Sequence, residues 1–178
     1  MPVEPTSETL IWASEVVDDT GNGTSRLQAQ DGNSFLFETV GHDCIIELTN
    51  LTGDVNAINN IQYTVVASGV AAKTYADLSV VLVDGSNSTY YSETHTLNPP
   101  GLQTVTGTQR TTSNGSDAWT ESQINNLRIK LIFAAESGPN DLQVDFISVL
   151  VNYNENVTPP IRLSSGLVKL TNGLVRIS

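Results

Sequence analysis

The chain has 178 residues, 39% hydrophobic and only 15% charged, with 8 Lys and Arg against 19 Asp and Glu and a net charge of -11. That length suits one domain with room for an appendage, and the acidity excludes a general electrostatic footprint for nucleic acid. No apolar run approaches the roughly 20 residues of a membrane span, Met1-Pro2-Val3-Glu4 lacks the basic start of a signal peptide, and the lone Cys44 excludes an internal disulfide framework or a Cys-rich zinc site.

Thr, Ser and Asn supply about 30% of the residues, whereas Lys and Glu are scarce. β-branched residues suit a pleated, half-buried surface, so short alternating runs between turn signals predict a β-sandwich or barrel. Leu10, Trp12 and Val16 open a first strand, ended by Asp18-Asp19-Thr20-Gly21-Asn22-Gly23. Leu27 and Ala29 mark a short strand before Asp31-Gly32. Phe35 and Phe37 alternate with Leu36 and Glu38; Cys44, Ile46 and Leu48 alternate with Ile45 and Glu47. Ile61, Tyr63, Val65 and Ala67 show a clean two-residue period.

Residues 76–83 are more uniformly apolar and predict a central strand, followed by Asp84-Gly85, a hairpin signal. Residues 88–97 form the expected return strand, with Tyr90 and Tyr91 on opposite faces and Glu93 and His95 in a polar row facing solvent. Residues 102–112 predict an edge strand, where Arg110 discourages edge pairing. Thr120 with Gln123 fits a capping box, so about two turns of helix are expected near residues 120–127, with Trp119 stapling them to the sheet. Leu127, Ile129, Leu131 and Phe133 alternate in a further strand. In the last one Val144, Phe146 and Leu150 point one way, and Ile147, Val149, Val151 and Tyr153 the other, with both faces covered. The expected core comprises Trp12, Phe35, Phe37, Val80, Leu82, Leu131, Phe133, Phe146 and Leu150.

Residues 154–160 read as a linker ending in Pro159-Pro160, after a body at 1–153. Beyond it, residues 160–178 hold three basic residues and no acid, leaving -14 on the remainder. Here Leu163-Ser164-Ser165-Gly166-Leu167-Val168-Lys169 repeats as Leu170-Thr171-Asn172-Gly173-Leu174-Val175-Arg176, and Ile177-Ser178 begins a third copy. Two copies with recurrent Gly are too few for a coiled coil and fit short strands better. Residues 161–178 are therefore expected to be an extended β arm. Arg162, Leu163, Leu167, Val168, Lys169, Leu170, Leu174, Val175, Arg176 and Ile177 are its partner-binding residues, against another subunit's sheet edge or copies of the same arm. The alternative is a tail folded back on its own sandwich.

The sequence holds little chemistry. His42-Asp43-Cys44 sets reactive types side by side, but strand neighbours face opposite ways, and Cys44 belongs to an apolar row. Carboxylates at Asp18, Asp19, Glu93, Asp141 and Asp145 have no spacing that sets a catalytic pair across a cleft. The loop from Asp18 begins like a calcium loop but has Ala29 where the closing glutamate belongs, so a polar loop is expected there. No cofactor or metal site and no catalytic residue is expected. Tyr90, Tyr91 and Trp119 are the candidates for a sugar platform.

Three segments, Ser7-Glu8-Thr9-Leu10, Ser116-Asp117-Ala118-Trp119-Thr120 with residues 124–129, and residues 144–153, resemble jelly-roll-like β-sandwich structural proteins of tailed bacteriophages, found as head decoration and tail-associated proteins. The resemblance spans roughly residues 7–153. It implies a non-enzymatic virion protein made in the host cytoplasm, trimeric, and attached to a major capsid protein or another virion protein. The single short sandwich suits a capsid decoration or cement protein; a glycan- or receptor-binding module of a head or tail fibre is the alternative.

Overall fold

In a computed structural model, the described residues are 3–21, 23–70, 75–98, 101–137, 141–156, 166–170 and 173–177. The fold is all-β and antiparallel, as the alternation predicts. Nine strands form one continuous sheet folded onto itself: β1 (Val3–Asp18), β2 (Phe35–Phe37), β3 (Asp43–Leu48), β4 (Val55–Val70), β5 (Ala76–Val83), β6 (Thr89–Leu97), β7 (Gln103–Thr106), β8 (Arg128–Glu136) and β9 (Asp141–Asn156). The order is β6-β5-β8-β3-β1-β9-β4-β7, with β2 also on β9.

β1 begins earlier than its apolar run suggests and serves both layers. Val3 to Ile11 pair with β9, while Trp12 to Asp18 pair with β3 across two register shifts. The stretch of β9 that β1 leaves is taken up by β2, Phe35 opposite Val144 and Phe37 opposite Leu142. Between the layers lie Leu10, Phe35, Phe37, Cys44, Ile46, Ile61, Val65, Leu78, Leu82, Ile129, Leu131, Phe133 and Val149, all buried. Phe35 and Phe37 meet edge to face at 4.8 Å, the favoured aromatic geometry.

Several local expectations are corrected. Leu27 and Ala29 do not form a strand: Thr24–Gln28 is a 3-10 helix with Leu27 buried. Its start is pinned from β1, because the Glu15 carboxylate accepts from the Thr24 amide and hydroxyl and the Trp12 indole donates to that hydroxyl. The β5–β6 turn spans Asp84 to Ser88 rather than two residues. The Asp84 carboxylate collects the amides of Ser86 and Ser88, and Asn87 takes the left-handed conformation at φ 65°.

The helix α1 (Glu121–Asn125) is shorter than two full turns, but its capping box is complete. The Thr120 hydroxyl accepts from the Gln123 amide, and the Gln123 side chain accepts from the Thr120 amide. Of the expected core, Trp12 and Phe146 are only half-buried and Leu150 is 37% exposed. On β9 the alternation is broken by a bulge, whereas Trp12 stands at the register shift where β1 crosses between the layers. Val66 pairs with Phe146 but Ala67 with Val144, so Asp145 is the extra residue. One inserted residue reverses the inward–outward parity, and Val144 joins Ile147, Val149 and Val151 on the inner face.

β9 continues through Asn154–Asn156, paired with residues of β1 and β4. Beyond it β10 (Gly166–Leu170) and β11 (Gly173–Ile177) form a separate two-stranded antiparallel sheet. In the arm, Leu167 stands opposite Arg176, Val168 opposite Val175 and Lys169 opposite Leu174.

Truncating a sealed position should therefore cost far more than truncating one on the outer face. Leu131→Ala is expected to lose about 2–5 kcal/mol by transfer and cavity effects, and Leu150→Ala less than about 1 kcal/mol, measured by urea unfolding. Equal losses would mean that Leu150 lies in the core rather than on the outer face.

Candidate functional site

Two polar constellations stand out on the body. The first closes the gap between β6 and β4, the open side of the sandwich. After β7 the chain passes Tyr63 so closely that a Cβ on Gly107 would lie 2.2 Å from its ring, and only glycine fits there. Arg110 then exchanges two backbone hydrogen bonds with Ile61. Its role is the reverse of the edge-blocking one expected: its main chain pairs with β4 while its guanidinium reaches across to Glu93 on β6.

Glu93 gathers four donor groups. The Thr108 amide donates at 2.9 Å, the Tyr63 hydroxyl at 2.8 Å, and the Thr108 hydroxyl and the Arg110 guanidinium complete the set. Burial alone would raise the carboxyl, but these donors outweigh it and bring it down to about 2. The Tyr63 proton is committed to Glu93, so at the 2.6 Å contact His95 Nε2 is the donor to the Tyr63 oxygen. Burial, then Glu93, pushes the Tyr63 phenol up. Glu93 and His95 are thus half-buried and turned toward Tyr63 rather than aligned in a solvent-facing row.

The aromatic candidates lie beside this node. Arg110 stacks over Tyr91 at 4.3 Å. Tyr90 and Tyr91 both pack on Trp119, at 5.1 and 6.3 Å, because a register shift between Leu82 and Val83 breaks the alternation that would separate them. Trp119 is 3% exposed and its indole donates to the Arg110 carbonyl. It staples the helix to the sheet, and no open sugar platform forms from these three rings.

The second constellation is a polar pocket of about 230 Å³ at one end of the sandwich. Glu47 and Asn50 line it from β3 and the loop after it, Gly85 from the hairpin turn, Asn125 from the end of α1 and Asn126 from just beyond it, and Arg128 from the start of β8. Arg128 bonds Glu47 from Nη2 at 2.6 Å and Nε at 3.2 Å, and Nη1 donates to the Gly85 carbonyl at 2.6 Å. The Ser14 hydroxyl and Arg128 together hold the Glu47 carboxyl below the usual glutamate range. The Asn125 carbonyl accepts from the Leu51 amide, which ties the helix to the loop after β3. Nothing in the sequence spacing connects these residues. The pocket exists because three turns and the helix end at one place.

The remaining candidates separate. Cys44 is buried and burial pushes its thiol up, away from nucleophile chemistry. At Asp18, burial is outweighed by the Thr20 hydroxyl and by the amides of Gly23, Thr20 and Gly21. The carboxylate organises a turn, as a polar loop requires. Among the described residues no three His, Cys, Asp or Glu side chains cluster as a metal site. Of the arm residues, Arg162 and Leu163 lie outside the described residues. Leu167, Val168, Lys169 and Leu170 fall on β10, and Leu174, Val175, Arg176 and Ile177 on β11.

The Glu93 node makes a pH prediction. With the folded pKa below the ordinary value of 4.5, its stabilisation is present in full above that pH and lost as pH falls toward 2. Glu93→Gln is expected to lose about 1–3 kcal/mol at pH 7 and to flatten the stability profile between about pH 5 and 2. Thermal unfolding across that range checks both.

No known family's sequence profile matches the chain, and no curated protein does. Among solved structures it is similar to a truncated AlyQ with CBM32 and alginate lyase domains, at 14% identity and a TM-score of 0.45, over 88% of this chain and 36% of that one. It is also similar to an arabinose-bound MgGH51 α-L-arabinofuranosidase, at 10% identity and a TM-score of 0.40, over 84% of this chain and 23% of that one. The chain spans about a third of the first and a quarter of the second.

Proposed function

We propose that this chain is a non-enzymatic structural subunit of a virion, a capsid decoration or cement protein that assembles through its C-terminal hairpin. The pairing of the two repeat copies carries the reading. β10 and β11 bond to each other in a sheet separate from the nine-stranded one. An isolated two-stranded hairpin is marginally stable in water, and its two outer edges offer N–H and C=O groups to a further strand. The partner is a second copy, in a trimer, or the major capsid protein. The charge difference between the arm and the -14 remainder favours an acidic partner surface, but exposed pairs are worth at most about 1 kcal/mol each. Apolar burial by the repeat's Leu and Val residues is the main driving force in this reading.

The polar pocket between β3, α1 and β8 supports a second reading, a receptor or glycan module, since a concave site rich in amide side chains suits a hydroxylated ligand. Deleting residues 161–178 separates the two. Under the assembly reading the truncated body unfolds as cooperatively as the full chain, while sedimentation shows loss of the oligomer and of co-sedimentation with capsids. Normal assembly of the truncated chain would sink that reading. Saturable binding on a glycan array that Asn50→Ala abolishes would favour the second.

A further inference from the structure

We propose that the outer face of the β1–β9–β4–β7 layer is a self-association surface, on which a second copy of this chain packs about a two-fold axis. Strand register assembles the face. Ser7, Asn152 and Asn60 stand side by side across three strands, and Thr9, Leu150 and Gln62 form the next row. Their neighbours Leu10, Ile61 and Val151 are buried in the core, so these rows point outward. The outward positions of β1 over residues 5–11, of β4 over 60–68, of β7 over 104–106 and of β9 over 143–154 hold none of the chain's 8 basic and 19 acidic residues. Glu8 lies between Ser7 and Thr9 but faces the other way and is bonded by Thr52. Asp145, the bulge residue, is 0% exposed. The other layer differs: Asp43, Glu47, Asp77, Arg128 and Lys130 stand on its outer side, alternating with core residues.

The composition of the face selects its occupant. Each copy carries a net charge of -11, so two copies repel wherever their acidic surfaces meet, and on this face they meet without like charges. Leu150 is 37% exposed, with Ile11 and Phe146 half-buried on the same face. Amides and hydroxyls surround this apolar centre. Among them Asn152 donates to the Asn60 side chain at 2.8 Å and Gln62 to the Gly107 carbonyl at 2.9 Å. Amides and hydroxyls both donate and accept, so such a rim is complementary to its own copy, as a two-fold contact requires. A neutral glycan would meet a single ring here, the half-buried Phe146, and no open platform. At about 3.3 Å per residue and about 4.8 Å between strands, the face covers about 500 Å² in projection. That is the small end of specific interfaces, so the dimer is weak and reversible, in the micromolar range. The contact is separate from the one proposed for the arm, which follows β9.

The test is analytical ultracentrifugation of the full chain from micromolar to millimolar concentration, with thermal unfolding as the control for folding. A reversible, concentration-dependent association step is expected. Leu150→Asp should weaken it at least about tenfold, because it sets carboxylates against each other across the contact, while Tm moves by no more than a few degrees. Val168→Asp, in the arm, should leave this step in place. Raising the sodium chloride concentration should strengthen it, because the remaining repulsion between acidic copies is screened. Should Leu150→Asp fail to fold, Thr9→Asp serves, at an exposed position in the same row. A chain that does not associate, a step that neither face substitution weakens, or one that Val168→Asp alone removes would overturn the proposal. Weakening by salt would overturn it too, since charge pairs would then hold the copies. A chain that stays unassociated yet binds a neutral polysaccharide through Leu150 would replace it with a glycan surface.

Discussion

The structure depends on one strand belonging to both layers. β1 spends its first half against β9 and its second against β3, and two register shifts turn it from one layer into the other. Main-chain hydrogen bonds therefore run unbroken around that side of the sandwich, and neither layer has an open edge there. The vacancy on β9 is filled by the three residues of β2, whose two phenylalanines enter the core. The short strand and its aromatic pair thus exist because β1 leaves.

The opposite side has no such strand and is closed by side chains. Arg110 keeps its main chain on β4 and its guanidinium on β6, with Glu93, Tyr63 and His95 completing the clasp. A charge-assisted network can take this place because the Glu93 carboxylate and the Tyr63 hydroxyl at its centre both have partners. Within it the Tyr63 proton is held by Glu93, and Glu93 is held by four donor groups. Trp119 and α1 extend this closure through the indole bond to the Arg110 carbonyl.

The pocket at the end of α1 is lined by side chains that also tie the structure together: Arg128 holds Glu47 and the Gly85 carbonyl, and Asn125 holds the Leu51 amide. Asp145 Oδ2 differs, being buried without a hydrogen-bond partner among the described residues. The C-terminal repeat, by contrast, pairs with itself in a two-stranded sheet separate from the nine-stranded one.

The strands were legible in the sequence wherever a two-residue period ran for four or more residues, as in Ile61 to Ala67 and Ile129 to Phe133, because one buried face imposes that period. The capping box at Thr120 and Gln123 was legible for the same local reason. Leu27 and Ala29 were misleading: two residues cannot define a period, and the carboxylates that fold that segment into a 3-10 helix come from β1. The bulge at Asp145 was invisible, since an extra residue in one strand is defined only against its partner. So was the clasp, whose members are drawn from β4, β6 and the segment after β7. Composition and alternation determine that the chain is an all-β fold with a seven-residue repeat at its C-terminal end. Which carboxylate is buried, which edges meet and where the pocket opens were decided only by strand register, a property of pairs of segments rather than of any one of them.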